Sequence, residues 1–412
     1  MLQERKMALD LERNIASHRR EMLEFARALI SIPTENPPGT AAKECAAMLG
    51  DRLRRMKLPI EPKTPVGLVR SFYGRGKRTL YFHGHYDVVP AASRAQFTPV
   101  IRRGELLGRG SSDMKGGLVA MIYAVRALRE CHVKLDGRIA LTFVPDEETG
   151  GARGSQVLVD HGLIEKDAIG MLTPEPTDGV VWNASRGAVS LRVILRGKSA
   201  HVGLSHAGRN AFESMLAACR KLTELKVKVS ARKTRYPIRP AAARHSILLL
   251  GGQCQGGTNF NTVPAECSFT IDRRTNPEEN LAAEKHRLFE IFSKLKRRGI
   301  DLEVKVLQEG QPSATAKETE LSRALAGAVR QVARKTPRFE VCPGLLETRF
   351  YNSIGVPALA YGPGLLSVSH GPDEYVPVGN IFDCALIYAL TAVKVLGTHS
   401  GRTRNTHKGE RS

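Results

Sequence analysis

Apolar residues recur at helical spacing from residue 4 to residue 31, and the period breaks at SIPTENPPGT, where prolines and a glycine stop the helix and open an ordered loop. TAAKECAAMLGDRLRRM resumes the amphipathic helical pattern. Short apolar runs at TLYFHGHYDVV and RIALTFVP read as strands, and GGLVAMIYAVRALRE between them reads as a helix. Strand, helix and strand in that order predict an α/β layer with a largely parallel sheet. Functional side chains are then expected where strands end.

The pattern changes near residue 186. AVSLRVILRG, HSILLLGGQ, ECSFTIDRR and DLEVKVL read as strands, joined by helices at NAFESMLAACRKLTEL and NPEENLAAEKHRLFEIFSKLKRRG. Beyond them ELSRALAGAVRQVARK is a helix, VPALAYGPG a strand and NIFDCALIYALTAVKVL a last helix. The expected fold is therefore α/β: a mixed, largely parallel sheet with flanking helices over residues 1–185 and 310–400, interrupted by a smaller α+β unit over 186–309. Residues 401–412 (GRTRNTHKGERS) form a basic tail expected to be disordered.

Composition narrows the function classes. A chain of 412 residues exceeds what one hydrophobic core usually supports, which agrees with two units. No uninterrupted apolar run approaches the roughly 20 residues that cross a bilayer, and the charged first residues lack a signal-peptide core, so no membrane partner and a cytoplasmic location are expected. Seven cysteines with no CxxC pair argue against a disulfide framework and against a cysteine zinc site. The net charge of +21 raises the question of nucleic acid. Eleven Lys/Arg and two acidic residues lie between Arg196 and Arg239, but only Phe212 and Tyr236 fall among them, short of the regular interleaving of aromatics that a base-stacking surface requires, so a nucleic-acid partner is disfavoured.

The candidate chemistry sits on loops after strand-like runs. His85 and Asp87 share one face of FHGHYDVVP, where a carboxylate can orient an imidazole ligand. Asp113 lies on the glycine-bounded turn GRGSSDMKGG, in which Gly110, Gly116 and Gly117 permit close approach of the backbone; the turn lacks phosphate-loop spacing. PDEETGG sets Asp146, Glu147 and Glu148 side by side, like charges that a cation would relieve. PEPT supplies Glu175, and SHGPDEYV supplies His370 beside Asp373 and Glu374. Singly, each reads as readily as a helix cap or an acidic turn. Together, two histidines and three carboxylates make a nitrogen and oxygen ligand set suited to Zn²⁺, Mn²⁺ or Co²⁺. With one carboxylate shared, five residues suffice for two metals about 3.5–4 Å apart, and one further carboxylate must stay free as the general base.

In this order, FHGHYDVVP, GRGSSDMKGG, PDEETGG, PEPT and SHGPDEYV resemble the metallopeptidase family that includes acetylornithine deacetylase, succinyl-diaminopimelate desuccinylase, aminoacylase and glutamate carboxypeptidase. The resemblance covers about residues 20–398. It implies that His85 and Glu175 bind one zinc, Glu148 and His370 the other, and Asp113 both; cobalt or manganese are alternatives. It further implies that Asp87 orients His85 and that Glu147 is the general base. The inserted unit would be a ferredoxin-like lid and dimerisation domain. From it His201 reaches the scissile carbonyl across a homodimer interface, with Asn210 nearby. Arg274 and Asn261 would bind the substrate. The implied reaction is deacylation of an N-acyl amino acid, with a dipeptidase or carboxypeptidase activity and a non-catalytic ligand-binding relative as alternatives. The chain departs from the family pattern at Leu346 and Glu347, at Pro174 and at His206, all near the expected cleft.

Overall fold

The computed structural model describes residues 2–61, 65 and 67–398; the basic tail at 401–412 lies outside them. A seven-stranded sheet runs in the order Ser313–Ala314, Val181–Ser185, Ala358–Ala360, Gly170–Thr173, Val69–His85 and Asp136–Val144, with Phe339–Cys342 also paired to Val181–Ser185. The strands around the centre are parallel, as Leu80 opposite Gly170 and Ala358 opposite Met171 record.

Strand Val69–His85 has two legs. Pairing from Val69↔Phe143 to Arg75↔Asp136 descends along the partner, so the first leg is antiparallel; pairing from Thr79↔Arg138 to His85↔Val144 ascends, so the second is parallel. Only the second leg carries an apolar run. The first, ending in YGRGKR, is broken by glycines and charges that mask its strand character.

Helices Gly116–Glu130, Val378–Leu396 and Glu320–Ala333 pack together beside this sheet. The first is apolar on nearly every side because the N-terminal helices cover its outer face. Those N-terminal helices are two, Leu2–Ser17 and Arg19–Ile30, where one was expected; the break falls at His18, whose ring Nδ1 lies 2.8 Å from Asn14 O. Val378–Leu396, with 19 residues and a mean hydropathy of 1.5, is long and apolar enough to cross a membrane. Asp383 and Lys394 interrupt the run in sequence, and its apolar faces pack in the core.

Residues 187–310 make a second, four-stranded sheet ordered Asp301–Gly310, Gly187–Arg196, Glu266–Thr275, Ile247–Gly256, with every pair antiparallel. Strand, helix, strand, strand, helix, strand is the ferredoxin-like sequence of elements. Val189, Leu191, Val193 and Leu195 alternate into a core shared with Leu222 and Phe292 from helices Ala211–Ser230 and Leu281–Arg297. Part of the basic run is neutralised inside this unit, where Arg196 pairs with Glu303 and Arg232 with Glu279.

Candidate metal centre

All but one of the chemistry-bearing loops leave the carboxyl end of a strand of the seven-stranded sheet. His85 ends Val69–His85, Glu147 and Glu148 follow Asp136–Val144, Glu175 follows Gly170–Thr173, and the His370 loop follows Ala358–Ala360. Parallel strands thus deliver separate segments to one edge of the sheet, the usual crevice of open α/β folds. Asp113 arrives by another route, on the turn before helix Gly116–Glu130. Gly110 in that turn holds φ +85°, and a Cβ on it would meet Val88 Cγ1 at 2.7 Å. Gly117 lets the helix start press on Pro174, where a Cβ would sit 2.5 Å from the proline Cβ; this seats Glu175 beside the turn.

The two oxygens of Asp113 face different histidines. Oδ1 lies 3.2 Å from His85 Nε2, and Oδ2 lies 3.3 Å from His370 Nε2, which is itself 3.4 Å from Glu148 Oε1. One ligand atom each from His85, Asp113 and Glu148 fall within 4.8 Å of one another. These are ion-pair distances, yet His85 Nε2, Asp113 Oδ1, Glu148 Oε1 and Glu175 Oε1 are all buried without a hydrogen-bond partner. Buried polar atoms ordinarily have partners, so this convergence of orphaned atoms fits a cation among them. His370 is the exposed member, its side chain half open to solvent and its backbone at φ +65°, a conformation a non-glycine residue adopts rarely.

Electrostatics agree with this fit. Burial drives the proton affinity of Glu147 and Glu175 far up, with neighbouring carboxylates adding to it, and Glu148 is raised for the same reason. Contacts with Asp113 and Glu148 push His370 up to about 11.

Asp87 is more than a partner of His85. Its carboxylate accepts the backbone N–H groups of Glu147 and Glu148 at 3.0 and 3.1 Å and the Asn36 amide at 2.9 Å, while His85 Nδ1 lies 3.0 Å from the Asp87 carbonyl oxygen and 3.3 Å from Oδ1. Burial works against the Asp87 charge, and the bonds from His85, Asn36 and the backbone outweigh it, holding the group below the usual carboxylate range. Asn36 also donates to Asp146 at 2.8 Å, joining the first loop to the Glu147–Glu148 loop. Lys115, fully buried, donates to Leu29 O and Ile32 O and fastens the Asp113 turn to the end of helix Arg19–Ile30. Sequence reasoning missed Asn36 and Lys115. Only ENPPGT directly after a helix hinted at the first, and nothing hinted at the second.

The Leu346–Glu347 departure has a partner. Glu347 Oε2 lies 2.9 Å from His83 Nε2 with both side chains fully buried, and Thr142, Ser155 and Tyr351 complete the network. Burial opposes the Glu347 charge, but His83 outweighs it and keeps the group below the usual carboxylate range. Leu346 fills an apolar cluster with Trp182 and Cys342. Arg349 lies over the Phe350 ring at 4.2 Å and donates to Leu346 O and Gly150 O, its charge acting against those of Glu147 and Glu347.

The four residues expected from the inserted unit stand apart from these ligands. His201 is exposed at a tip it shares with Asn261, whose carbonyl accepts from Val202 N. Asn210 caps helix Ala211–Ser230, accepting from Phe212 N and Glu213 N. Arg274 forms a two-point pair with Asp272, at 2.6 and 3.0 Å. No hydrogen bond or ion pair among the described residues joins these four to the metal ligands.

Residues 81–394 match the peptidase family M20/M25/M40. A protein named succinyl-diaminopimelate desuccinylase from Nitrosomonas europaea is 31% identical over 366 residues, covering 85% of this chain and 93% of that one. Among solved structures, the dipeptidase Dug1p of Saccharomyces cerevisiae superposes with a TM-score of 0.77 at 16% identity, covering 94% of this chain and 98% of that one. A Bacillus subtilis M20 peptidase described as dinuclear and metal-binding superposes with a TM-score of 0.68 at 14% identity, covering 93% and 100%.

A protonated His370 must lose its proton to ligate a metal, so zinc uptake near pH 7 should release about one proton at that position and weaken as pH falls. Binding enthalpies measured in buffers of different ionisation enthalpy should therefore differ. Equal enthalpies in all buffers would contradict this.

Proposed function

This chain belongs to the peptidase family M20/M25/M40, and on that premise we propose that it hydrolyses the amide bond of an N-acyl amino acid. The observation that carries the proposal is Asp113, whose two oxygens each address a different imidazole amid ligand atoms that lack hydrogen-bond partners. His85 and Glu175 would hold one zinc, Glu148 and His370 the other, and Asp113 would be shared. Bound there, two such ions supply Lewis acidity and lower the pKa of water.

The chain's own groups would do the rest. Glu147 carries no ligand duty and takes the proton of the attacking water at its carboxylate, then passes it to the leaving nitrogen. Burial, with the charges of Glu148 and Glu347 adding to it, raises its proton affinity, the direction that favours a general base. Asp87 fixes the loop that carries Glu147, so the base is aimed by backbone hydrogen bonds. Residues 186–309 would act as lid and dimerisation unit, with His201 reaching the scissile carbonyl across a homodimer interface, Asn210 nearby and Asn261 among the substrate contacts. Arg274 would exchange Asp272 for the substrate carboxylate, a matching bidentate acceptor. Seven free thiols suit a reducing compartment such as the cytoplasm.

An N-acyl amino acid is favoured by likeness to the named desuccinylase along most of both chains. A dipeptide substrate is the second reading, suggested by the name of one fold neighbour. A panel of N-succinyl and N-acetyl amino acids and dipeptides discriminates them: turnover of the acylated set is expected, and no turnover of either set by the zinc-loaded protein would overturn the proposal. Glu147→Ala should lose about 10²–10⁴-fold in rate with zinc content unchanged. His201→Ala mixed with Glu147→Ala should regain part of the activity if the site is shared between protomers; no regain would confine it to one chain.

A further inference from the structure

The segment SHGPDEYV contributes His370 and, four residues on, Glu374. Glu374 is buried, yet both of its oxygens are committed away from the metal ligands' side chains. Oε1 accepts the backbone N–H groups of Gly110, Ser112 and Asp113, each at 3.0 Å. Oε2 takes Arg109 Nη1 at 2.5 Å, and Arg109 Nη2 donates to the His370 carbonyl at 3.1 Å. The Glu374 carbonyl in turn accepts from Gly108 N at 2.9 Å. The Arg109–Glu374 side chains are 2% and 0% exposed, so neither charge can lose its partner to water.

Converging N–H groups form a concave positive nest, and a carboxylate seated in it fixes the turn that bears them. Here the turn ends on Asp113, while the guanidinium that neutralises the carboxylate also holds the backbone of His370. Two candidate ligands 257 positions apart in sequence, Asp113 and His370, thus hang from one buried ion pair.

We propose that Glu374 is a positioning residue of the metal centre: with Arg109 it locks the Asp113 turn and the His370 loop into one unit and so sets the affinity of the His370-bearing metal position. The inference rests on the reading that Asp113 and His370 bind metal. The position built on His85 and Glu175 takes only its shared carboxylate from this unit, so it feels the pair less.

Zinc titration calorimetry of the metal-free full-length protein tests this, with wild type, Glu374→Gln, Arg109→Gln and the double variant compared, and with thermal unfolding of each metal-free protein as a control. Glu374→Gln keeps an acceptor for the three N–H groups but turns an amide N–H₂ toward Arg109. One of the two zinc-binding steps should then weaken about 10–100-fold, with the other changed much less. The double variant should be no worse than Glu374→Gln, because the pair acts as one unit. Unchanged affinity at both positions, whatever the loss of thermal stability, would make Glu374 a structural staple only and overturn the proposal. Equal weakening at both positions would overturn it too. If Glu374→Gln does not fold, Arg109→Gln decides by the same criteria. A wild type that takes up no zinc would instead sink the metal reading beneath it.

Discussion

Carboxylates held out of water at the ends of parallel strands repel one another, and relieving that repulsion is the condition that the rest of this structure meets. Asp113, Glu147, Glu148 and Glu175 share a site with the imidazoles of His85 and His370. Burial raises the proton affinity of Glu147 and Glu175, and contacts with Asp113 and Glu148 raise that of His370, so protons can offset the crowded carboxylates. A pair of divalent ions would restore balance without protons and free Glu147 to act as a base.

Holding such a set in place falls to residues that do not themselves converge on it. Asp87 and Glu374 play equivalent parts: each is a buried carboxylate that accepts backbone N–H groups from a loop bearing candidate ligands. Asn36 and Arg109 then tie those carboxylates to further loops. Anchoring through backbone N–H groups fixes the chain that carries a ligand, whereas a side-chain contact would fix only the ligand itself. His83 and Glu347 form another buried pair. Glu347 and Arg349 carry opposite charges whose effects on Glu147 oppose each other.

Much of this was legible in the sequence. The apolar runs ending at His85 and Val144 and the helix opening at Gly116 located three of the loops, because continuous apolar runs and glycine-bounded turns carry local signals. Change of period near residue 186 likewise announced the second sheet, whose strands Gly187–Arg196 and Glu266–Thr275 alternate cleanly. What escaped detection has no local signature. The antiparallel leg Val69–Arg75 is a strand only because Asp136–Val144 accepts it. Lys115 looks like any helix-proximal lysine until its partners, Leu29 O and Ile32 O, are brought to it by the fold. Glu374 could be seen as an acid near a histidine, but its three N–H donors lie more than 250 residues earlier in the chain.

The claim that most of this depends on is that Asp113 joins two metal positions, and anomalous diffraction at the zinc absorption edge from zinc-grown crystals tests it directly. Two peaks about 3.5–4 Å apart are expected, one on either side of the Asp113 carboxylate. A single peak, or none within reach of Asp113, would contradict the account.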